Sequence, residues 1–464
     1  MPRTNRRTAL KLLGAATLTS GVGTVSAQPD RGPSEKGRIR KTGHSLLSDP
    51  VGEYAEGAIR EDGMYGLLGS FFGTGGSFLV DIRNPTHPTQ VHRVPSSANT
   101  RNADVKFDPR DGLYYRSQEP NDGDGEGGVE IVDYGFGDAT PETPEIVADL
   151  DTGPTHNVFP HPEEPILYAT NEGRGDSGLD IWDVSDPAAP AFLGRGGPVG
   201  GLHDMVVDPE RDLMHCAYIF ADEGGFEGYA VLDVSDPANP GVVGTFDYSN
   251  APDYTEVGEE GFESCHYADY DPERGLAYIG DERGTGVPGG KHVFDIGFDE
   301  GSPGNPVPIG FTVSPNAEVQ DDLPAEFFDW TTHNHDVIPK GNTTLMVSGD
   351  YHEGTVVYDV SDPRDPTPTD QYRTDDDAEN TSDLLFPALT APMAWGADYS
   401  AERDLVFTSD MVTGAYVFKM TPAAARDSAG RGRGRNEGRR GRGRNEGRGR
   451  GKRSMTSGVP AGRC

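Results

Sequence analysis

Short apolar runs that end in a polar turn recur along the whole chain. Each run holds β-branched and aromatic residues, and Asp, Ser and Pro follow it, which is typical of a strand bounded by a turn. The runs end at these positions: Asp81, Asp133, Asp183, Asp233, Asp295, Asp359 and Lys419. Three of them continue as Val-Ser-Asp-Pro, whereas the last run, Ala415-Tyr-Val-Phe, is followed by lysine. A strand-rich unit repeated at about 50 to 60 residues predicts a β-propeller.

The fourth unit shows the strand pattern most clearly. Strands are predicted from Gly201, Leu213, Tyr229 and Gly241, and Asp-Pro turns lie between them. In such turns the aspartate side chain accepts backbone N–H groups while proline fixes φ, so the repeated aspartates are expected to be structural. The prediction is an all-β fold, a seven-bladed β-propeller with four antiparallel strands per blade.

The last copy stops at its third strand, because residues 421–464 have a different composition. The missing fourth strand is therefore expected from the N-terminal side, where Gly37–His44 precedes the first complete unit. An N-terminal strand would close the ring and remove an open sheet edge. The predicted organisation is a lead-in and closing strand over residues 28–43 and a propeller over residues 44–420.

The strands Phe78-Leu-Val-Asp, Glu130-Ile-Val-Asp and Asp180-Ile-Trp-Asp resemble those of the LVIVD-repeat family of exported β-propellers, of haloarchaeal type. The resemblance covers about residues 44–420 and implies the fold, but no common activity. The architecture is also distantly similar to selenium-binding-protein-like propellers, which implies copper on channel histidines. No thiol-oxidase signature accompanies that similarity.

The N-terminal segment has the features of a signal for export. Arg6-Arg7 is followed by the apolar stretch Leu12–Val25, and Val25-Ser-Ala offers a cleavage site before Gln28. This pattern predicts a twin-arginine signal over residues 1–27 and an extracellular or cell-surface protein. The alternative is an anchor that stays attached, but the stretch is short and rich in Gly and Thr. No other segment reaches transmembrane length.

The C-terminal segment, residues 421–464, is rich in Arg and Gly and is predicted to be disordered. From residue 426 it carries 13 Lys/Arg against three acids, a net charge of +10. It suits contact with an anionic surface polymer, whereas nucleic acid is disfavoured because the tail has no aromatic residues. Removing this charge and the +4 of the signal from the total of −36 leaves −50 on the remainder. Adaptation to high salt explains such a charge better than a cation-binding or basic-partner surface.

Aligning the inner strands on the turns that end them reveals a column of histidines. His156, His203, His266 and His335 occupy it, with Ala103 and Trp395 in two other blades. His335 is assigned by its His-Asp pair and the strand that follows, because its turn is irregular. Inner strands line one channel, so these imidazoles could converge as a transition-metal site for copper, zinc or iron. His333 points the same way and could join, and Asp204 and Asp336 could orient the rings. The alternative is a polar ring that lines a water-filled channel.

Three functions are compatible with these features. The first is a binding scaffold that takes a protein, glycan or small-molecule ligand at the channel mouth. The second is a metal-dependent oxidoreductase or hydrolase that uses the histidines. The third is a surface-structural protein held on the envelope by its Arg/Gly-rich tail. The acids of Asp122–Asp133 resemble a calcium loop, but no helices flank them and a solvated loop is favoured. No nucleophile motif, phosphate-binding loop or disulfide framework is present.

Overall fold

The computed structural model describes residues 38–421, except for 48–52, 72–74, 172–177, 220–224, 252–260, 284–287, 318–330, 341–342 and 382–389. The predicted signal and almost all of the basic tail lie outside the described residues. Within them the regular structure is β, apart from two 3₁₀ turns at Tyr248–Asn250 and Ala378–Asn380. The all-β prediction is confirmed. No helix in these described stretches is long and apolar enough to cross a membrane.

The strands form antiparallel units in sequence order. The first strand of the chain is β1 (Ile39–Ser45). Blade 1 contains β2 (Tyr54–Ile59), β3 (Tyr65–Ser70), β4 (Ser77–Asp81) and β5 (Thr89–Val94). Blade 2 contains β6 (Thr100–Arg101), β7 (Val105–Phe107), β8 (Leu113–Pro120), β9 (Gly128–Asp133) and β10 (Glu145–Leu150). Blade 3 contains β11 (Val158–Pro160), β12 (Ile166–Asn171), β13 (Gly178–Asp183) and β14 (Ala191–Gly196).

The remaining blades follow the same order. Blade 4 contains β15 (Leu202–Asp208), β16 (Leu213–Tyr218), β17 (Gly228–Asp233) and β18 (Gly241–Asp247). Blade 5 contains β19 (Cys265–Asp271), β20 (Leu276–Asp281), β21 (Lys291–Asp295) and β22 (Val307–Thr312). Blade 6 contains β23 (Thr332–Lys340), β24 (Thr343–Asp350), β25 (Gly354–Asp359) and β26 (Thr367–Tyr372). Blade 7 contains β27 (Ala394–Ser400), β28 (Leu405–Asp410) and β29 (Gly414–Met420).

Blade 7 takes its fourth strand from the start of the described chain. β1 pairs antiparallel with β29, from Ile39 opposite Met420 to Ser45 opposite Ala415. The Ile39 N–H also donates to Asp370 Oδ2 of blade 6 at 2.9 Å. The inner strands contact one another in a closed cycle: β2, β7, β11, β15, β19, β23, β27 and again β2. The two ends of the propeller are therefore held together by backbone pairing.

Apolar side chains fill the space between blades. Each adjoining pair of blades shares a buried cluster, such as Tyr168, Leu179 and Met205 between blades 3 and 4. The repeated aspartates lie at the rim instead, where each closes its own turn. Asp183 accepts from the Ser185 N–H at 2.8 Å, and Asp233 accepts from the Ser235 N–H at 2.9 Å. This geometry agrees with the structural role expected for these residues.

A belt of buried acids lines the channel along the inner strands. Four of them accept a backbone N–H of the next blade: Asp104 from Val158 (2.8 Å), Asp269 from Val337 (2.6 Å), Asp336 from Tyr399 (2.8 Å) and Asp398 from Ile59 (2.8 Å). The belt also contains Glu56 and Asp204, and its cation is Lys106, whose ammonium lies 2.7 Å from Asp104. Burial raises the pKa of Asp204, Asp336 and Asp398, and it raises the pKa of Glu56 and of Asp269 to about 7.

The seam strand gives the first prediction. Ile39 is 6% exposed and packs with Ile338 and Leu345, so Ile39→Ala leaves a cavity where the ring closes. We expect it to lower the free energy of unfolding by about 2–5 kcal/mol, measured by denaturant titration with circular dichroism. The neighbouring Arg40 is exposed, and Arg40→Ala should change stability by less than about 0.5 kcal/mol. Equal effects of the two changes would contradict the closure described here.

The belt gives a prediction about pH. Glu56 has a raised folded-state pKa, so the native protein holds its proton at pH values where the unfolded chain has lost it. This contribution to stability is present below about pH 4.5 and is lost as the pH rises to about 7, on the order of 3 kcal/mol for this group. Unfolding titrations at fixed high salt should show stability falling across this window. Glu56→Gln should flatten the fall, and the exposed control Glu210→Gln should not; an unchanged slope in Glu56→Gln would refute the assignment.

Candidate metal centre at one end of the channel

Four imidazoles and one indole form a row around the start of the inner strands. The ring centroids of His156 and His203 are 4.5 Å apart, those of His203 and His266 are 4.0 Å apart, and those of His266 and His333 are 4.3 Å apart. Trp395 completes the circle, 4.8 Å from His333 and 6.4 Å from His156. Blades 3 to 7 thus each contribute one ring to the same end of the channel.

The structure places His333, not His335, in this row. Thr332 pairs with Asp350 as Cys265 pairs with Asp281, so the residue after Thr332 matches His266. The sequence assigns His335 by the His335-Asp336 pair and the strand that follows, and that pair lies two positions beyond the row residue of blade 6. Strand β23 has nine residues, whereas β19 has seven. His335 instead lies beside the buried Lys291, whose ammonium is 2.9 Å from its Nδ1.

The Nδ1 atoms of three row histidines are held by oxygen acceptors. His203 Nδ1 lies 2.9 Å from the His266 carbonyl, and His333 Nδ1 lies 2.5 Å from the Trp395 carbonyl. His156 Nδ1 lies 2.7 Å from Glu119 Oε2. A carbonyl can only accept, so these contacts place the proton of a neutral ring on Nδ1 and leave the Nε2 lone pair available. Metal-binding histidines are held in this way.

One carboxylate reaches two of these rings. Glu282 follows strand β20, and its Oε2 lies 3.5 Å from His266 Nε2, while its Oε1 lies 3.4 Å from His333 Nε2. Two ligands of a tetrahedral ion with bonds of about 2.1 Å are about 3.4 Å apart, whereas a good hydrogen bond is shorter. His333 Nε2 is buried and has no hydrogen-bond partner. The three side chains therefore fit a shared cation, and the ligand atoms all lie within 4.8 Å of one another.

The surroundings favour the metal-binding form of these rings. Burial, followed by the neighbouring His203 and His333, holds the pKa of His266 well below its ordinary value. The ring is thus neutral at pH 7, as coordination requires. The Tyr351 hydroxyl donates to Glu282 Oε1 at 3.2 Å and can orient this carboxylate. Burial and this carboxylate raise the pKa of Tyr351, so its hydroxyl stays a donor.

The two aspartates expected to orient histidines do something else. Asp204 accepts the Met205 N–H at 2.6 Å, and Asp336 accepts the Tyr399 N–H. Both belong to the acidic belt: Asp204 directly follows His203, whereas Asp336 lies three residues after His333. The calcium-like loop is also occupied by local bonds: Asp133 accepts from Gly135 N–H at 2.8 Å, and Asp124 accepts from the Asn99 side chain at 2.7 Å.

Sequence reasoning missed Glu282 and Tyr351. Both lie at the ends of second strands, next to Asp281 and Asp350, which are opposite the residues that precede the row histidines. Glu119, the acceptor for His156, is also near the end of a second strand. Aligning the ends of the second strands, in addition to the inner strands, would identify Glu282, Tyr351 and Glu119 from the sequence.

The comparisons with known proteins concern the fold. A family model described as LVIVD repeat matches residues 173–195 and 217–248. The C-terminal WD40 domain of Sif2 is similar with 8% identity and a TM-score of 0.49, over 83% of this chain and 99% of that chain. The Cps50 (Swd1) β-propeller domain of Myceliophteria thermophila has 8% identity, a TM-score of 0.49, and coverage of 83% and 98%. A comparison with curated proteins gave no match.

A hypothetical selenium-binding protein from Sulfolobus tokodaii is also similar, with 12% identity and a TM-score of 0.43, over 66% of this chain and 74% of that chain. Likenesses at this level carry no inference about what this chain binds. The LVIVD matches fall on blades 3 and 4, in which the apolar strands end at Asp183 and Asp233. The resemblance to LVIVD repeats expected from these strands is confirmed for blades 3 and 4, and the chain folds as a β-propeller.

Proposed function

We propose that this protein is an exported β-propeller that holds a transition-metal ion on His266, His333 and Glu282 and binds a small ligand at that end of its channel. The observation that carries the proposal is the position of one carboxylate, whose two oxygens lie 3.5 and 3.4 Å from the two Nε2 atoms. That spacing suits ligands of one ion better than it suits hydrogen bonds.

The donor set limits the metal. Two imidazoles and a carboxylate suit zinc, copper or iron, whereas calcium and magnesium prefer oxygen donors alone. Thiolate ligands are not part of the cluster, since Cys216 and Cys265 are buried in apolar clusters elsewhere. His203 lies next in the row and is the nearest additional imidazole, 4.0 Å from His266 between ring centroids.

The second candidate function is a metal-dependent oxidoreductase or hydrolase. It is favoured by the number of protein ligands, because three side chains leave coordination positions open, as catalytic sites do and closed structural sites do not. Tyr351 adds a polar hydroxyl at Glu282, and Trp395 gives the site an apolar wall against His333. A binding scaffold and an enzyme share this centre and differ in whether the bound ligand is converted.

The proposed cellular location of the protein rests on its terminal sequences. The Arg6-Arg7 signal supports export and an extracellular or cell-surface place of action. The net charge of +10 from residue 426 onward supports contact of the tail with an anionic surface polymer. The protein would then bind its ligand, a protein, glycan or small molecule, at the channel mouth outside the cytoplasm.

Elemental analysis tests the metal proposal. The full chain, purified in high salt without chelators or a histidine tag, should carry close to one equivalent of zinc, copper or iron. His333→Gln and Glu282→Gln each remove one donor and should lower occupancy at a fixed free-metal concentration by about tenfold or more. Circular dichroism confirms that each variant is folded.

Two histidine variants serve as matched controls. His335→Gln changes the residue two positions from His333 that faces Lys291, and His87→Ala changes an exposed histidine. Both should keep their metal. Equal loss in His335→Gln and His333→Gln would contradict the assignment of blade 6, and a folded wild-type chain that takes up no metal on titration would refute the centre.

A further inference from the structure

Blade 7 departs from the other blades in charge at the rim. In six blades the residue that opposes the start of the second strand is an aspartate. The pairs are Tyr65 with Asp81, Leu113 with Asp133, Ile166 with Asp183, Leu213 with Asp233, Leu276 with Asp295 and Leu345 with Asp359. In blade 7 the equivalent pair is Leu405 with Lys419. One repeat carboxylate is therefore replaced by an ammonium.

A second acid is missing at the same place. The inner strands of blades 4 and 5 end at Asp208 and Asp271, each of which binds an arginine three residues later. In blade 7 this position is Ser400, which pairs with Leu405 as Asp271 pairs with Leu276.

Arg403 consequently has no carboxylate within ion-pair distance among the described residues. Its guanidinium is instead fixed by carbonyls of blade 1, those of Gly63 (2.6 Å), Ile82 (3.1 Å) and Arg83 (3.1 Å). Carbonyls orient the guanidinium without neutralising it. The group keeps its full positive charge at a fixed place on the rim.

The closing strand adds a third cation. Arg40 of β1 lies directly opposite Lys419 of β29 and is exposed, with no ion-pair partner in the described chain. These three cations surround a pocket of about 500 Å³, here called the seam pocket, which Thr42, Pro85, Leu405 and Glu402 also line. The only acid of this lining is Glu402, and Asp404 stands 3.9 Å from the Lys419 ammonium. The lining has a net charge of +2 on a chain whose total is −36.

We propose that the seam pocket binds a phosphate group. Guanidinium groups match the oxygens of a phosphate with paired donors, and an ammonium adds a point charge. The net charge of +2 on the lining balances the charge of a phosphate dianion. A ligand with a single carboxylate would neutralise only half of that charge. The phosphate could belong to free inorganic phosphate or to a phosphorylated surface polymer, and both present the same group.

The seam pocket exists because the ring closes in blade 7. In a blade formed from consecutive strands, the fourth strand follows a turn that starts from the repeat aspartate. In blade 7 the fourth strand comes from the other end of the described chain. No turn therefore connects β29 to that strand, and no aspartate is needed at position 419 to cap such a turn. Arg40 then enters from β1 beside Lys419. The anion site is thus separate from the channel centre and independent of the metal proposal.

Calorimetric titration with inorganic phosphate at fixed ionic strength tests the proposal. Wild type should show saturable binding near one equivalent, and Arg40→Gln should weaken it about tenfold through loss of one charged hydrogen bond. Lys419→Asp restores the residue that six other blades accommodate and should abolish it. Arg364→Gln, at an exposed arginine paired with Asp299, is the control and should bind as wild type does.

Each outcome decides the proposal. The basic tail is the same in every variant, so only the difference between variants reports on the seam pocket. Binding that is equal in wild type, Arg40→Gln and Lys419→Asp would locate it outside the pocket and overturn the proposal, as would no saturable binding to wild type. A phosphorylated polysaccharide serves as the second probe. If wild type and the variants differ in binding only this polymer, the ligand is a polymer-linked phosphate. If they already differ in binding inorganic phosphate, the ligand is the free anion.

Discussion

The convergence of inner strands on one axis is the constraint on which the rest of the structure depends. Residues at equivalent positions of these strands lie side by side around the channel, so each repeated position becomes a ring. The row from His156 to Trp395 is one such ring, and the carboxylates from Glu56 to Asp398 form a belt beside it. Polar groups so close together have to be hydrogen-bonded, protonated or shared with a cation.

The two rings meet this requirement differently. Asp269, Asp336 and Asp398 in the belt accept backbone N–H groups of the adjoining blade, and burial raises their pKa, which favours the uncharged form. Three row histidines, His156, His203 and His333, use Nδ1 for the same kind of contact, and burial lowers the pKa of His266. Where His266 Nε2 and His333 Nε2 face the oxygens of Glu282, a cation satisfies all of these atoms together.

The repeat made most of the fold predictable from sequence. The apolar runs that end at Asp183 and Asp233 fix strand direction and turn position, and the lack of a fourth strand after Met420 pointed to strand β1. The candidate site was less accessible. The register of the inner strands places His156, His203 and His266 in the row, but the His335-Asp336 pair directs the assignment to His335 where His333 belongs. The turn of blade 6 does not correct this assignment, because β23 is two residues longer than β19. Length variation within a strand is invisible to a pattern of apolar and polar positions.

Glu282, which follows strand β20, escaped the sequence pattern. Lys419 was visible in the sequence, because it stands where six other blades have an aspartate. A repeated residue satisfies a requirement that all blades share, such as capping a turn, so its presence says little about function. A residue that departs from the repeat has no such structural reason, and its charge changes the local field. In a chain as acidic as this one, a pocket lined by three cations and one acid is a stronger signal of binding than any of its many carboxylates.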